Sequence, residues 1–398
     1  MENWSDPGIL HLIIHRHGTN MVITSELASL REFTTRGNPV VSLYLDVNGA
    51  RFPRKGDYET EYSFLVHDAR RTAADTLHLS KDQEERLDLE LQAIGEFLAL
   101  EYRREGSKGL VIFSCRNEDL WEVMPLKIPV ENRLLVDSKP RLAPLAETLS
   151  RHSRFCVLLA SKEAARIFEA YAGELTEQTD LFDNILKRHT QGGWEQAKLQ
   201  RRHEIQVHNH LKRAAEAALS FVQERSLERL AAGISSEELW PELDKVLHPY
   251  LKERLAGRFN LEISAGSNDI LERIDVLDAE IRHQAEIRLL DSLGPELEAG
   301  KNYVGGPDDV LAVLNERRVE LLIVENGFSA SGRMCNSCGT IAFSEETCPG
   351  CRLDMQPVAD IVEEAREQAL RQDAALLTVA AGHPAMKQAG GIAARLRY

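Results

Sequence analysis

Four of the chain's six cysteines lie within 17 residues as two Cys-x-x-Cys pairs, and no other feature restricts the local fold as strongly. Cys335 and Cys338 form the first pair, and Cys348 and Cys351 form the second, with nine residues between the pairs. Each pair places two thiolates on one tight turn, so four sulfurs can converge tetrahedrally on Zn²⁺. The spacing predicts a zinc site, with a redox dithiol or a vestigial site as alternatives. Because four cysteines complete the coordination sphere, the predicted role of the metal is structural.

The composition indicates a multidomain protein of a reducing compartment. Six cysteines in 398 residues are too few for a secreted disulfide framework, and the chain is 43% hydrophobic and 28% charged. No stretch approaches the roughly 18 apolar residues that a membrane-spanning helix needs. Glu2 and Asp6 stand where a signal peptide requires positive charge. We therefore expect a cytoplasmic protein without a membrane partner. We expect Cys115 and Cys156, which lie outside the two pairs, to be packed core thiols.

Strand and helix patterns alternate along the whole chain, which predicts α/β and α+β domains. A loop rich in Pro and Lys marks a boundary near residue 148, and an apolar-periodic helix opens a further region near residue 271. Three domains are predicted at 21–148, 149–270 and 271–398, and residues 1–20 are expected to be a disordered extension or an over-long start. The clearest predicted elements are strands at Gly109–Cys115, Leu120–Leu126 and Ala375–Val379, a hairpin from Phe155 to Glu174, and a helix from about Glu195 to Glu224.

One segment differs sharply in charge from the rest of the chain. The formal net charge of −15 argues against a protein that coats nucleic acid. Between Lys187 and Arg213, however, seven lysines and arginines oppose two glutamates, a local charge of +5. Gly192 and Gly193 precede this basic helix, and glycines permit close backbone approach to a polyanion. A solvated helix face with a flexible loop is the alternative interpretation.

Three segments, in sequence order, match the patterns of one known family. In QGGWEQAKLQRRHEIQVHNHLKRAAE, which starts at Gln191, Leu199, Arg202, His203 and Asn209 fall in register with a Gly-Gly-Gln loop and its basic helix. VLAVLNERRVELLIVEN and the terminal GGIAARLRY match the helix and strand before a zinc insertion and the closing strand. Over residues 21–398 the chain resembles the archaeal and eukaryotic class-1 peptide chain release factors and Pelota, in particular their bacterial branch.

The resemblance implies a fold and a set of site residues. It implies a release-factor-like first domain, a middle domain with the glycine loop, and a last α/β domain like the kink-turn-binding proteins with an inserted zinc ribbon. In the family the loop enters the ribosomal peptidyl-transferase centre, where the peptidyl-tRNA ester is hydrolysed. The catalytic residues implied are Gly192, Gly193 and Gln196, and the RNA-binding residues are Lys187, Arg188, Trp194, Lys198, Arg201, Arg202 and His203.

Two departures from the family pattern keep alternatives open. Trp194 and Glu195 stand between the glycines and Gln196, whereas the family glutamine follows the glycines directly. Trp194 can either stack on a nucleobase or fold the loop back on its own domain. A TASNIKS-type loop and a Tyr-x-Cys motif, which read stop codons in the family, do not occur.

The resemblance therefore supports two functions of different classes. The first is a ribosomal A-site factor that promotes peptidyl-tRNA hydrolysis in termination or rescue, with rRNA and peptidyl-tRNA as partners. The second is a non-catalytic hibernation or occupancy factor. A translation GTPase is a further partner that the resemblance allows, and DNA is not an expected partner. A zinc-ribbon adaptor that binds a GTPase or another protein through the last domain is a third, weaker hypothesis.

Overall fold

The computed structural model describes residues 29–76, 79–182 and 194–397. The chain forms two compact units, one made of Met1–Arg151 with Gln284–Tyr398 and the other of His152–His283. The predicted 1–20 extension lies outside the described residues. The second unit begins three residues after the predicted boundary at 149, and the division into three domains stays a prediction.

The first sheet of the first unit is antiparallel, with strand order β3-β2-β1-β4. Every residue of its two central strands is buried, as their continuous apolar runs require. The predicted bounds of two strands, Gly109–Cys115 and Leu120–Leu126, are confirmed. The four strands are β1 (Val40–Asp46), β2 (Gly109–Cys115), β3 (Leu120–Leu126) and β4 (Arg133–Asp137).

Two helices cover one face of this sheet. Helix α1 spans Lys55–Thr76, and α2 spans Lys81–Glu96 before one turn of π-helix over Phe97–Glu101. The Ser80 side chain caps α2 by accepting a hydrogen bond from the backbone amide of Gln83. The Gln83 side chain in turn accepts a hydrogen bond from the backbone amide of Ser80. This capping box fixes the start of α2, so that its apolar side packs on β1 and β2.

The second sheet of the first unit is mixed, with strand order β10-β16-β11-β15. The pair β11 and β15 is parallel, and β16 lies antiparallel between β10 and β11. The prediction of a strand at Ala375–Val379 is confirmed. The elements of this part are β10 (Tyr303–Gly305), α8 (Pro307–Asn315), β11 (Val319–Glu325), α9 (Ile361–Arg371), β15 (Ala375–Val379), α10 (Pro384–Gln388) and β16 (Ile392–Leu396), and α3 (Ala143–Ser150) also packs here.

A small antiparallel sheet between β11 and α9 carries the cysteine pairs. Its order is β13-β12-β14. The insertion ends where α9 begins. Asp360 caps this helix by accepting a hydrogen bond from the Val362 amide. The three strands are β12 (Gly332–Met334), β13 (Ile341–Ala342) and β14 (Gln356–Val358).

The second unit contains a five-stranded sheet with helices on both faces. Its elements are β5 (Phe155–Ala160), β6 (Ala164–Tyr171), β7 (Glu174–Phe182), α4 (Trp194–Arg225), β8 (Arg229–Ile234), α5 (Trp240–Val246), α6 (Pro249–Glu253), β9 (Leu255–Asn260) and α7 (Ser267–Ala299). The strand order is β7-β6-β5-β8-β9, and the predicted hairpin is confirmed as the antiparallel pair β5 and β6. Alternate residues of β5 face opposite layers: Cys156 and Leu158 pack with α4, whereas Phe155 and Val157 pack with the first turns of α7.

Helix α7 begins at Ser267, a few residues before the predicted start near 271, and the limit of the second unit falls within this helix. None of the helices in the described part of the chain is long and apolar enough to cross a membrane.

Candidate nucleic-acid interface and metal centre

Helix α4 is buried along most of its length but not in its first described turns. From Val207 onward the helix buries a stripe at helical spacing that includes Leu211, Ala214 and Ala218. Between Gln200 and Gln206 no side chain is buried. Four of these side chains besides Gln200 are exposed, namely Arg201, Arg202, Glu204 and Ile205, whereas His203 and Gln206 are partly buried.

The unburied stretch of α4 carries uncompensated positive charge. Arg201 and Arg202 are exposed, and neither forms an ion pair with any residue that the structure describes. Gln200 donates a hydrogen bond to Glu204 at 3.1 Å, so the nearest acidic side chain on the helix is held by an amide. Ile205 beside them is 59% exposed. The arrangement of guanidinium groups next to an exposed apolar side chain suits a nucleic acid, which offers phosphates and base or sugar faces.

The structure describes only part of the predicted catalytic and RNA-binding site. Arg201, Arg202 and His203 lie on α4, where the sequence placed them, and His203 is partly buried. The backbone of Trp194, Gln196 and Lys198 belongs to the first two turns of this helix. Outside the described residues lie Lys187, Arg188, Gly192 and Gly193.

The four cysteines of the insertion form one cluster. Their sulfur atoms all lie within 4.8 Å of one another. The Sγ atoms of Cys335 and Cys351 are 3.3 Å apart, and those of Cys338 and Cys348 are 3.4 Å apart. Each close pair joins one knuckle to the other, so the two turns face each other as the spacing predicted.

The backbone of each knuckle is set up to hold thiolates. Gly339 donates to the Cys335 carbonyl at 2.8 Å with a positive φ of 75°, which closes the first turn. A hydrogen bond from the Cys351 backbone amide lowers the pKa of the Cys348 thiol to about 6. The Thr340 hydroxyl lies 3.1 Å from the Cys338 sulfur and lowers the pKa of that thiol. These contacts favour the deprotonated, metal-binding form at Cys338 and Cys348. At Cys351 a backbone hydrogen bond from Leu353 acts in the same direction, but contacts with the neighbouring thiols, led by Cys335, outweigh it and raise the pKa to about 12.

The sulfur positions fit a tetrahedral metal ion. Zinc–sulfur bonds of about 2.3 Å place tetrahedral sulfurs roughly 3.8 Å apart, which lies within the observed spread. A Cβ atom at Gly350 would stand 3.8 Å from the Cys348 sulfur and 3.9 Å from the Cys338 sulfur, so the Gly350 backbone lies directly beside the cluster. The cluster can therefore bind a metal ion through four thiolates. Cys115 and Cys156, as predicted, are buried in the cores.

One cavity was not anticipated from the sequence. It lies in the first unit at the end of the π-helical turn. The residues that line it form no local sequence pattern that indicates a site. It is open to solvent, has a volume of about 340 Å³ and is lined by Lys55, Tyr58, Tyr102, Arg103 and Arg104.

The comparisons with known proteins find a family match for part of the chain. Residues 140–277 match the model of bacterial archaeo-eukaryotic release factor family 10, a range that includes all of α4. Peptide chain release factor subunit 1 of Thermococcus onnurineus (strain NA1) is 21% identical over an alignment that covers 96% of this chain and 99% of the relative. The same factor from Thermococcus sibiricus (strain DSM 12597 / MM 739) is 22% identical with the same coverage. The chain is therefore similar to members of the release factor superfamily.

Among solved structures, the crystal structure of the archaeal translation termination factor aRF1 is 16% identical to this chain. It covers 94% of this chain and 97% of its own, with a TM-score of 0.28. A model of ribosome-bound archaeal Pelota and ABCE1 is 15% identical and covers 72% of this chain and 76% of its own, with a TM-score of 0.39.

Proposed function

We propose that this protein enters the ribosomal A site and promotes hydrolysis of the peptidyl-tRNA ester, in termination or in rescue of stalled ribosomes. The family match of residues 140–277 and the similarity to archaeal release factors support a translation factor. The single observation that carries the proposal further is the unburied basic stretch of α4, which follows directly after the predicted glycine tip. Cytoplasmic location follows from a ribosomal partner.

The exposed cations of α4 would hold the tip in place by contacting rRNA. Arg201 and Arg202 are exposed and form no ion pair with a residue in the described part of the chain, and guanidinium groups bind phosphates through paired hydrogen bonds. The helix is packed in the core from Val207 onward, and its first turns would connect this packed part to the tip. We propose that Lys187, Arg188, Lys198 and His203 extend the same contact.

The tip would supply the chemistry. Gly192 and Gly193 allow the backbone to enter a crowded RNA pocket, since glycine lacks the side chain that would clash there. Gln196 would position the attacking water or donate to the developing oxyanion, and both effects require a fixed donor close to the ester. Trp194 would stack on a nucleobase or brace the tip.

The start of α4 favours a second candidate function. The helix begins at Trp194, so the backbone of Gln196 is helical in the first turn and separated from the glycines by two residues. A glutamine displaced in this way is less able to reach the ester than one that follows the glycines. We propose as the alternative a hibernation or occupancy factor that fills the A site without hydrolysis.

We further propose that the four-cysteine cluster holds Zn²⁺ in a structural role. Thiolates are the ligands of closed zinc sites, and such sites have no open position for water. The metal would tie the two knuckles together and stabilise the small sheet β12–β14. We also propose that a translation GTPase delivers this protein to the ribosome. The last region would have a fold like that of the kink-turn-binding proteins.

The deciding experiment uses purified ribosomes that carry labelled peptidyl-tRNA and an empty A site. Release of the peptide is measured for the wild type, Gly193→Ala and Gln196→Ala, with Gln223→Ala on the exposed side of the same helix as the control. Release that both test substitutions reduce at least tenfold, and the control does not, supports hydrolysis. Tight binding without release supports the occupancy factor.

The RNA contact is tested by the salt dependence of ribosome binding. The slope of log affinity against log salt should fall by about one for each phosphate contact removed. Arg201→Gln and Arg202→Gln should each reduce the slope, whereas Lys245→Gln, which removes a lysine paired with Glu242 at 2.6 Å, should not. Binding with no salt dependence would reject the proposed role of α4.

A further inference from the structure

The cavity at the end of the π-helical turn combines positive charge with phenol hydroxyls. Three of its five lining residues are cations and the other two are tyrosines. Its volume of about 340 Å³ falls within the range of small-molecule sites, which begins at about 300 Å³. Lys55 comes from the start of α1, and the other four lining residues come from α1 and from the segment that follows the π-helical turn.

The three cations are oriented by neutral acceptors. Each side chain donates to backbone carbonyl groups, and most of these belong to the last turn of the π-helix or to the β1–α1 loop. Carbonyl oxygens fix the direction of an ammonium or guanidinium group without cancelling its charge. The contacts are Lys55 to Ala99 (2.6 Å), Arg103 to Leu100 (3.3 Å) and Tyr102 (3.2 Å), and Arg104 to Phe52 (2.6 Å), Val47 (3.3 Å) and Pro53 (3.4 Å).

Few acidic side chains in the described part of the chain pair with these three cations. Within the described part of the chain, neither Arg103 nor Arg104 forms an ion pair. Lys55 lies 3.8 Å from Glu59, and both side chains are more than a third exposed, so solvent screens that pair. The cavity therefore keeps a net positive charge and several N–H groups that are not used by the carbonyls.

The two tyrosines add phenol hydroxyls, and that of Tyr102 is buried. Tyr58 is 3% exposed and Tyr102 is 6% exposed. Among the residues that the structure describes, the Tyr102 hydroxyl has no hydrogen-bond partner. Ser107 lies near enough to Tyr102 to offset part of the rise in its pKa, but not in hydrogen-bonding geometry. Burial raises the pKa of both phenols, so they remain protonated donors at neutral pH.

We propose that this cavity binds a phosphate group, as the free phosphate of a nucleotide or as the backbone of an RNA strand. Three oriented cations and two hydroxyl donors match the charge and the several acceptor oxygens of a phosphate better than those of a carboxylate. The competing interpretation is that the cations only cap the helix end through its carbonyls. That interpretation leaves the buried Tyr102 hydroxyl and the unused N–H groups unexplained. The site is separate from α4 and does not depend on the proposed ribosomal function.

The test titrates the isolated full-length protein with inorganic phosphate, pyrophosphate, adenosine monophosphate and a short single-stranded RNA, followed by calorimetry and phosphorus NMR. Wild type should show one saturable phosphate site. Tyr58→Phe removes only a hydroxyl and keeps the ring packing, and Arg103→Gln removes one charge. Each should weaken binding about tenfold or more, as expected for loss of one charge-assisted hydrogen bond. Arg71→Gln, an exposed arginine on the same helix as Tyr58, is the control and should bind as wild type.

Each outcome decides the proposal. Displacement of phosphate by the mononucleotide supports a free nucleotide as ligand, and displacement by RNA alone supports an RNA strand. Absence of saturable binding overturns the proposal. It is also overturned if Arg103→Gln lowers the melting temperature while phosphate affinity stays unchanged, because the cations would then serve only as caps. None of these measurements uses ribosomes, so failure here leaves the peptide-release result unaffected.

Discussion

Arg366 donates a hydrogen bond from Nη1 to Oε2 of Glu147 at 2.6 Å, and the two residues are 219 positions apart in the chain. Both are buried, with 4% and 7% of their surface exposed. Oε1 of Glu147 also accepts a hydrogen bond from the Thr378 amide at 2.6 Å. One carboxylate thus joins α3, α9 and β15 within the first unit.

Glu147→Gln should destabilise the first unit by about 3 kcal/mol, because it leaves the Arg366 guanidinium buried with less compensation. Glu363, at 3.5 Å from Arg366, remains as a second partner and keeps the loss at the lower end of the usual range. The measurement is the free energy of unfolding from urea titration. The double variant Glu147→Leu with Arg366→Met removes both charges and should recover much of the loss. A single variant as stable as wild type would contradict this account.

The pH dependence of stability should carry a contribution from Glu367. Burial raises the pKa of this carboxyl to about 6, against an ordinary value of 4.5, and the charge of Arg141 offsets only part of the effect. The folded state then binds the proton more tightly than the unfolded state. This group stabilises the fold below about pH 4.5, and the contribution is lost as pH rises through about 6.

Glu367→Gln should therefore gain stability relative to wild type between pH 4.5 and pH 8, by about 2 kcal/mol in total. The glutamine can still accept the hydrogen bond that the Ala143 amide donates at 2.9 Å. Unfolding free energies of the two proteins at several pH values provide the measurement. A difference that stays constant across this range would show that the carboxyl does not titrate in the window.

Loss of one cluster cysteine should abolish metal binding and unfold the small sheet β12–β14. Cys335 is buried in the core of that sheet, and structural zinc sites supply much of the folding energy of such insertions. Elemental analysis should find about one equivalent of zinc in wild type and none in Cys335→Ser. Cys156→Ala, which alters a buried cysteine of the second unit, should retain the metal. A Cys335→Ser protein that folds normally and binds zinc fully would reject the structural site.

Gly391→Ala should be strongly destabilising, by about 2 to 4 kcal/mol. Gly391 has a φ of 84°, and a Cβ atom there would lie 2.4 Å from the Phe328 ring. Gly56→Ala is the matched control, because nothing lies within 4 Å of its Cβ position and its φ is not in the left-handed region. Melting temperatures of the two variants provide the measurement. Similar melting temperatures would show that the Phe328 contact relaxes at little cost.

The sequence determined features that depend on near neighbours. The Cys-x-x-Cys spacing predicted the cluster because each knuckle is a local turn, and the structure brings all four sulfurs together. Continuous apolar runs predicted the strands Gly109–Cys115 and Ala375–Val379 with their observed bounds, since a strand buried on both faces leaves that pattern. Local charge counting likewise located the basic start of α4.

Tertiary structure alone decided which distant side chains meet. Lys55 joins Arg103 and Arg104 in one cavity because α1 and α2 return antiparallel along the first sheet, and Glu147 finds Arg366 because α3 packs in the core that α9 also shares. Periodicity indicates which face of an element is apolar, but not which other element covers it. Partners far apart in the chain are selected by the packing of whole faces, and that is a property of the assembled fold.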